Sequence, residues 1–304
     1  MQQLLEEIVE KARPYLGQGK VADYIPELAK ADPDQFGIAV VTIDGQVYSA
    51  GDTDTPFTIQ SISKVFTLVL ALQDHGEERV FEKVGVEPTG DPFNSIIQLE
   101  HEPGKPQNPM INAGAIAVTS LIKGENSEEK FNRILEFVRK LAGNPDINID
   151  EEVYRSEKET GHRNRALAYF MKSFGMLEGD VEEVLDVYFR QCSIQVTCRD
   201  LARMGATLAN DGVNPVTGER ILSPETVRHV KALMVTCGMY DASGEFAYRV
   251  GLPAKSGVGG GIMAVVPGRM GIGVFSPPLD EKGNSVAGIK ALEYLSQELG
   301  LSVF

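Results

Sequence analysis

The chain has 304 residues, with 43 Asp and Glu against 29 Lys and Arg, for a formal net charge of −14. That excess of acid argues against a nucleic-acid binder, which needs a basic footprint, and against an anionic membrane surface as partner. A hydrophobic share of 42% suits a globular chain that buries a large core without staples, as one large domain or about two.

The N-terminus, Met1 to Glu7, has no basic start and no long apolar stretch, so no export signal is expected. Leu4, Leu5, Ile8, Val9 and Ala12 recur at helical spacing and predict a helix within residues 1–16, limited by Pro14. Residues 36–41 and 46–50 read as strands, with Asp44-Gly45 as the hairpin turn between them. A long middle region carries helical patterns over 62–72, 112–123, 127–141, 165–174, 181–190, 199–209 and 224–234. Turn signals such as Gly143-Asn144-Pro145 and Asp211-Gly212 separate them. The longest apolar run, 65–72, is broken only by Thr67 and falls far short of the roughly 20 residues of a membrane helix. Residues 246–250, 254–256, 261–267 and 270–275 then read as short strands with Gly-rich turns. A last amphipathic helix spans 286–299, with Ile289, Leu292, Leu295 and Leu299 on one face.

Strands near both ends with helices between predict an α+β (α/β) fold. One antiparallel sheet would be flanked by the terminal helices, with a helical lobe beside it. The expected division is residues 1–60 with 245–304 as the mixed lobe and 61–244 as the helical one. A small-molecule site is expected in the groove between them.

The segment 55–73 holds one charged residue, Lys64, among Ile62, Val65, Phe66, Leu68, Val69 and Leu70. A helix so apolar all round is expected to be buried. An ammonium there is costly, and desolvation lowers its pKa. Ser61 lies three residues earlier, on the same helical face and at the helix start. Free backbone N–H groups and the helix dipole there favour developing negative charge. A serine hydroxyl needs a base to become a nucleophile, and a desolvated lysine one turn away can supply it. The bland reading is an N-capping serine and a lysine that snorkels to solvent. Lys255-Ser256-Gly257, in a strand-like run before Val258-Gly259-Gly260-Gly261, adds a second element. Penicillin-recognising serine enzymes combine Ser-x-x-Lys with a later Lys-Thr-Gly, which this run resembles. The third element of that set, Ser-Asp-Asn or Tyr-x-Asn, is absent.

Metal catalysis is not expected, because His75, His101, His162 and His229 are scattered. Cys192, Cys198 and Cys237 are odd in number and sparse, which fits buried thiols in a reducing cytoplasm.

Further blocks extend the pattern along the chain. They are Val21-Ala22-Asp23-Tyr24-Ile25-Pro26, Gln60-Ser61-Ile62-Ser63-Lys64 and Asn108-Pro109-Met110-Ile111-Asn112-Ala113-Gly114-Ala115-Ile116. Ser156-Glu157 leading to Asn164, Tyr188 near Gln191-Cys192-Ser193, and Gly238-Met239-Tyr240-Asp241 follow, before Lys255–Gly261. Together they resemble the bacterial serine-dependent glutaminases, over essentially the whole chain. The resemblance implies a β-lactamase/transpeptidase-like fold and hydrolysis of L-glutamine to L-glutamate and ammonia. It implies Ser61 as nucleophile, Lys64 as its base, and Tyr24 and Tyr240 near the serine to relay or steady protons. It implies the backbone N–H groups of Ser61 and Val258 as the oxyanion hole. Gln60, Asn112, Glu157, Asn164 and Tyr188, with Tyr240 and Val258, would bind substrate. No metal or other cofactor is implied, and a cytoplasmic homodimer or homotetramer is.

The residue chemistry agrees. Glu157 can pair with an amino acid's ammonium, and the amides of Asn112 and Asn164 can donate to its carboxylate. Taken alone, Glu157 reads as a loop charge beside Glu151, Glu152 and Glu159, the asparagines as turn or capping residues, and the tyrosines as packing. Two alternatives stay open: a penicillin-recognising serine hydrolase or transpeptidase, and a non-catalytic amino-acid-binding protein on the same fold.

Overall fold

The computed structural model describes residues 1–101 and 103–304, apart from the side chain of His101. The N-terminal part holds α1 (Gln2–Ala12), β1 (Gly37–Thr42), β2 (Val47–Gly51) and β3 (Phe57–Thr58). The middle holds α2 (Ser63–Lys83), α3 (Ile97–His101), α4 (Asn112–Ser120), α5 (Ser127–Ala142), β4 (Asn148–Ile149), α6 (Glu151–Thr160) and α7 (His162–Ser173). It continues with α8 (Val181–Cys192), β5 (Ile194–Val196), α9 (Cys198–Ala209), α10 (Pro224–Cys237) and α11 (Ser243–Arg249). The chain ends in β6 (Ala254–Ser256), β7 (Gly261–Val266), β8 (Met270–Phe275) and α12 (Val286–Leu299).

Strands from both ends join one antiparallel sheet in the order β2-β1-β8-β7-β6, as the sequence predicts. Alternate residues of its central strands feed two different cores. Ile38, Val40, Ile262, Ile272 and Val274 pack with Leu5 and Ile8 of α1 and with Leu292 and Leu295 of α12. Ala39, Val41, Met263 and Val265 pack on the opposite side with Leu201 and Ala202 of α9. Burial on both faces explains why these strands read as continuous apolar runs rather than alternating ones. Helix α9 can lie this close because β8 carries glycine where they meet. A Cβ on Gly271 would fall 2.0 Å from the Ala206 nitrogen. Away from the sheet, α4, α7 and α8 share a further core around Ile116, Leu167 and Leu185.

One predicted strand is wrong. Residues 246–250 are not a strand but the end of helix α11 and its cap. An alternating strand would put positions 246, 248 and 250 on one face. Phe246 and Val250 are indeed buried, but Tyr248 is 90% exposed. Burial four residues apart is the helical repeat, and Arg249 pairs with Glu245 at the same spacing. The hairpin at Asp44-Gly45 forms as predicted, with Val41 opposite Val47 and Gly45 at φ +86°.

Candidate active site

The segment that carries Ser61 is fixed from its N-terminal side. Phe57 and Thr58 pair with Val196 and Gln195, and the Ile59 N–H continues the ladder to the Ile194 carbonyl at 2.8 Å. The chain then turns sharply at Gln60, which holds a left-handed φ of +49°. A non-glycine residue pays roughly 1–2 kcal/mol for that region, and such strain collects at functional sites. A short helical turn, Gln60–Ile62, carries Ser61 into the start of α2.

The glycine run approaches this turn with bare backbone. A Cβ on Gly257 would lie 2.7 Å from the Ile59 carbonyl oxygen, and one on Gly259 would lie 2.6 Å from that of Thr58. Val258 sits between them. Among the described residues, neither the Ser61 N–H nor the Val258 N–H donates to a protein acceptor. Two free N–H groups on closely packed segments are what an oxyanion hole requires.

Lys64 is fully buried, so the snorkelling alternative does not hold. Its Nζ donates to Asn112 Oδ1 at 2.7 Å and to the Met110 carbonyl at 3.2 Å. Burial pulls its pKa down to about 8, opposed by Cys192 and Glu157. The pair of bonds points the amine at α4 rather than directly at Ser61. Asn112 passes the network on, donating from Nδ2 to Asn164 Oδ1 at 3.0 Å. Each amide is thereby oriented, and Asn164 keeps its own NH2 group for an incoming acceptor.

Glu157 is not a loop charge. It lies on α6, whose first turn is capped by the Asp150 side chain accepting from the Glu152 and Val153 N–H groups. It is 5% exposed, and its Oε2 has no hydrogen-bond partner among the described residues. Burial drives its pKa up to about 8, with Lys64 and the nearby Gln60 side chain pulling the other way. An orphaned carboxylate oxygen in a pocket is an open place for a cation.

Tyr188 is buried, and desolvation holds its phenol well above the usual range. Tyr24 is the open member of the set at 56% exposed. Its hydroxyl end is nevertheless desolvated, with Glu157 and Tyr240 nearby, and titrates well above the usual range. Tyr240 also holds a left-handed φ, +53°, and its ring lies 4.7 Å from that of Phe93. Its hydroxyl meets the Ser61 side chain and donates to the Ser256 carbonyl at 3.2 Å. Burial raises its pKa, and the contact with Ser61 restrains the rise.

Ser61, Gln60, Tyr24, Asn112, Glu157, Asn164 and Tyr188 line one pocket of about 540 Å³, open mouth included. Lys64 is not on its wall. Val258 instead lines a wider groove that shares Tyr24 and Phe93 with the pocket. Sequence reasoning missed Phe93, Asn94 and Arg163 on the pocket wall. Arg163 Nε holds the Asn94 carbonyl at 2.9 Å, and the Phe93 carbonyl accepts the Asn112 N–H at 2.9 Å. Phe93 and Asn94 lie in the irregular stretch before α3, where nothing marks them by period or charge, and Arg163 is one of two arginines near the start of α7. Cys192 also lines the pocket, but burial raises its thiol pKa well above the usual range, so it stays an un-ionised neighbour.

A family model described as Glutaminase matches residues 19–304. The chain belongs to the glutaminase family. It is 61% identical to "Glutaminase 2" of Clostridium perfringens and 62% identical to "Glutaminase" of Clostridium botulinum, over 100% of each chain. Among solved structures it is similar to "Probable glutaminase ybaS", with a TM-score of 0.95 and 50% identity over 100% of this chain and 99% of that one. It is similar too to a probable glutaminase from Bacillus subtilis complexed with 6-diazo-5-oxo-L-norleucine. There the TM-score is 0.92 and the identity 44%, over 100% of this chain and 96% of that one. These likenesses establish the glutaminase fold, of mixed helix and antiparallel sheet.

The packing of the glycine run yields a first expected result. Gly257→Ala places its Cβ against the Ile59 carbonyl and pushes the Val258 N–H away from Ser61. Losing one oxyanion donor costs about 10²–10³ in kcat. Glutaminase assays should show a fall in that range with a smaller change in KM, and circular dichroism should show an intact fold.

Proposed function

We propose that this glutaminase hydrolyses L-glutamine to L-glutamate and ammonia through an acyl-enzyme on Ser61, with Lys64 as general base. The observation that carries the mechanism is a fully buried lysine, one helical turn from a pocket serine, with its pKa drawn down to about 8. About one such lysine in ten is a free amine at pH 7.

Neutral Lys64 takes the Ser61 proton as Oγ attacks the side-chain amide carbon. The Ser61 and Val258 N–H groups hold the oxyanion. Collapse breaks the C–N bond, and protonated Lys64 or Tyr240 supplies the proton that lets ammonia leave. Water then attacks the γ-glutamyl ester, its proton goes to the same base, and glutamate and free Ser61 result. Glu157 pairs with the substrate ammonium. Asn164 and Asn112, with Tyr188, take its carboxylate. Gln60 steadies Glu157, and Tyr24 covers the pocket mouth. In this reading the site lies between a sheet lobe, residues 1–60 and 245–304, and a helical lobe, residues 61–244. The enzyme works in the cytoplasm as a homodimer or homotetramer. Among the described residues no helix is long and apolar enough to cross a membrane.

The test is release of ammonia and glutamate in equal amounts from L-glutamine by the purified chain; no release sinks the reading. Glu157→Gln tests the substrate pose. It removes the only carboxylate on the described pocket wall. A charge-assisted bond contributes about 1.5–3 kcal/mol, so KM should rise roughly tenfold or more while kcat changes less. An unchanged KM would place the ammonium elsewhere.

A further inference from the structure

Lys255 enters the sequence reading only as part of the run that leads to the glycines. The structure gives it an unusual setting. Its side chain is fully buried, and among the described residues no carboxylate pairs with it. Lysines are almost never buried so deeply without such a partner. What it has is a ring and two carbonyls. Its Nζ donates to the Ser256 carbonyl at 2.7 Å and to the Gly238 carbonyl at 3.0 Å, and lies 4.2 Å from the centre of the Tyr240 ring.

The Ser256 carbonyl also receives the Tyr240 hydroxyl, at 3.2 Å. Two donors therefore share one acceptor, and they share it unequally. The lysine has the short bond. The phenol has one well beyond the 2.7–2.8 Å that O–H donors prefer. Two residues beyond Ser256, in the turn that follows β6, lies the Val258 N–H. Lys255 thus touches both arms of the site: strand β6, which leads into the turn that carries the Val258 N–H, and the Gly238–Tyr240 segment that bends into a left-handed φ.

We propose that Lys255 is a positioning residue for the reaction: it fixes the Tyr240 phenol beside Ser61 while leaving the phenol proton loosely held for the departing ammonia. The inference rests on the role given to Tyr240 in the proposed mechanism. It needs two N–H donors, which a lysine has whether or not it is protonated. Burial and the nearby Lys64 push its pKa well below the usual lysine range, and Cys237 acts the other way. Those two groups and the Tyr240 ring are the titratable groups that face it.

A double-mutant cycle tests this. Lys255→Met and Tyr240→Phe are assayed singly and together for kcat and KM on L-glutamine, with thermal melts of each. Lys255→Met should lower kcat about 10–100-fold with KM within about threefold, a part of the roughly 10²–10⁴-fold that one proton-transfer group contributes, because Tyr240 itself remains. In the Tyr240→Phe background the same change should cost less than about threefold, because residues acting through one another are not additive. A penalty equal in both backgrounds overturns the inference, and so does an effect confined to KM or to the melt. If Tyr240→Phe alone leaves kcat unchanged, it is the mechanism's use of Tyr240 that fails. Should Lys255→Met not fold, Lys255→Gln, whose amide keeps two N–H donors, should hold kcat within about threefold of the parent in both Tyr240 backgrounds, and a larger loss of equal size in both overturns the inference.

Discussion

Ser61→Ala should reduce glutamine turnover by at least about 10⁴-fold, into the range left when a nucleophile is removed and only binding and oxyanion contacts remain. Ser61 is the hydroxyl at the head of α2 that both faces the pocket and meets Tyr240. Ser63 is fully buried, and the Gln191 amide donates to its hydroxyl at 3.4 Å, so it cannot stand in. Alanine leaves the Glu157, Asn112 and Asn164 contacts in place, so glutamine should still bind. Calorimetry with the variant should give an affinity within a few-fold of the wild-type KM. Acid quench of the wild type during turnover should leave a γ-glutamyl group on the peptide that carries Ser61. A variant with near-normal ammonia release, or an adduct on another residue, removes Ser61 from the mechanism.

Lys64→Met should be nearly as damaging, about 10³-fold or more in kcat, because nucleophile and base act as a unit. The double variant with Ser61→Ala should then be hardly worse than either single one. The pH dependence gives the sign. Lys64 loses its proton near 8, so wild-type kcat/KM should rise with pH through that region as the free amine accumulates. Glu157, raised to about 8, loses its proton in the same window and binds the substrate ammonium better once ionised. Both groups therefore make the enzyme weaker as pH falls. In Lys64→Met the step in kcat should vanish, while a pH-dependent KM persists through Glu157. The fold should survive the change. A folded-state pKa below the usual 10.5 means that Lys64 contributes stability above that value and loses it as pH falls through about 8. At neutral pH methionine removes a desolvation cost, so Tm should hold.

How much of this was legible in the sequence depended on contrast. Lys64 stood out because it is one charge in an apolar helix, and burial followed from that setting. The strands of the large sheet stood out because burial on both faces made them continuously apolar. Helix α6 did not, since only Val153, Tyr154 and Glu157 of its ten residues turn inward. Its glutamates hid the one that matters among those that are solvated. Residues 246–250 misled because two buried residues four apart, with an aromatic between them, fit either period until exposure is known. The left-handed turns at Gln60 and Tyr240 had no signal, because neither residue type favours that conformation. They are imposed by the segments packed against them, and composition does not report such packing. The pairing of Lys255 with Tyr240 is hidden for the same reason.

The order of strands in the large sheet bears on when the enzyme becomes an enzyme. β1 has β2 on one side, available as soon as the first hairpin leaves the ribosome, but β8 on the other, close to the end of the chain. Such distant pairing is slow to close and late during synthesis. Ser61 and Lys64 are made early and can be buried by the helices that follow them, yet Val258 arrives only with the final strands. On the proposed mechanism, a nascent or C-terminally shortened chain would therefore carry Ser61 without the Val258 donor of its oxyanion hole. Activity would then be withheld until the last strands are in place, and its appearance would itself report that the whole chain has folded.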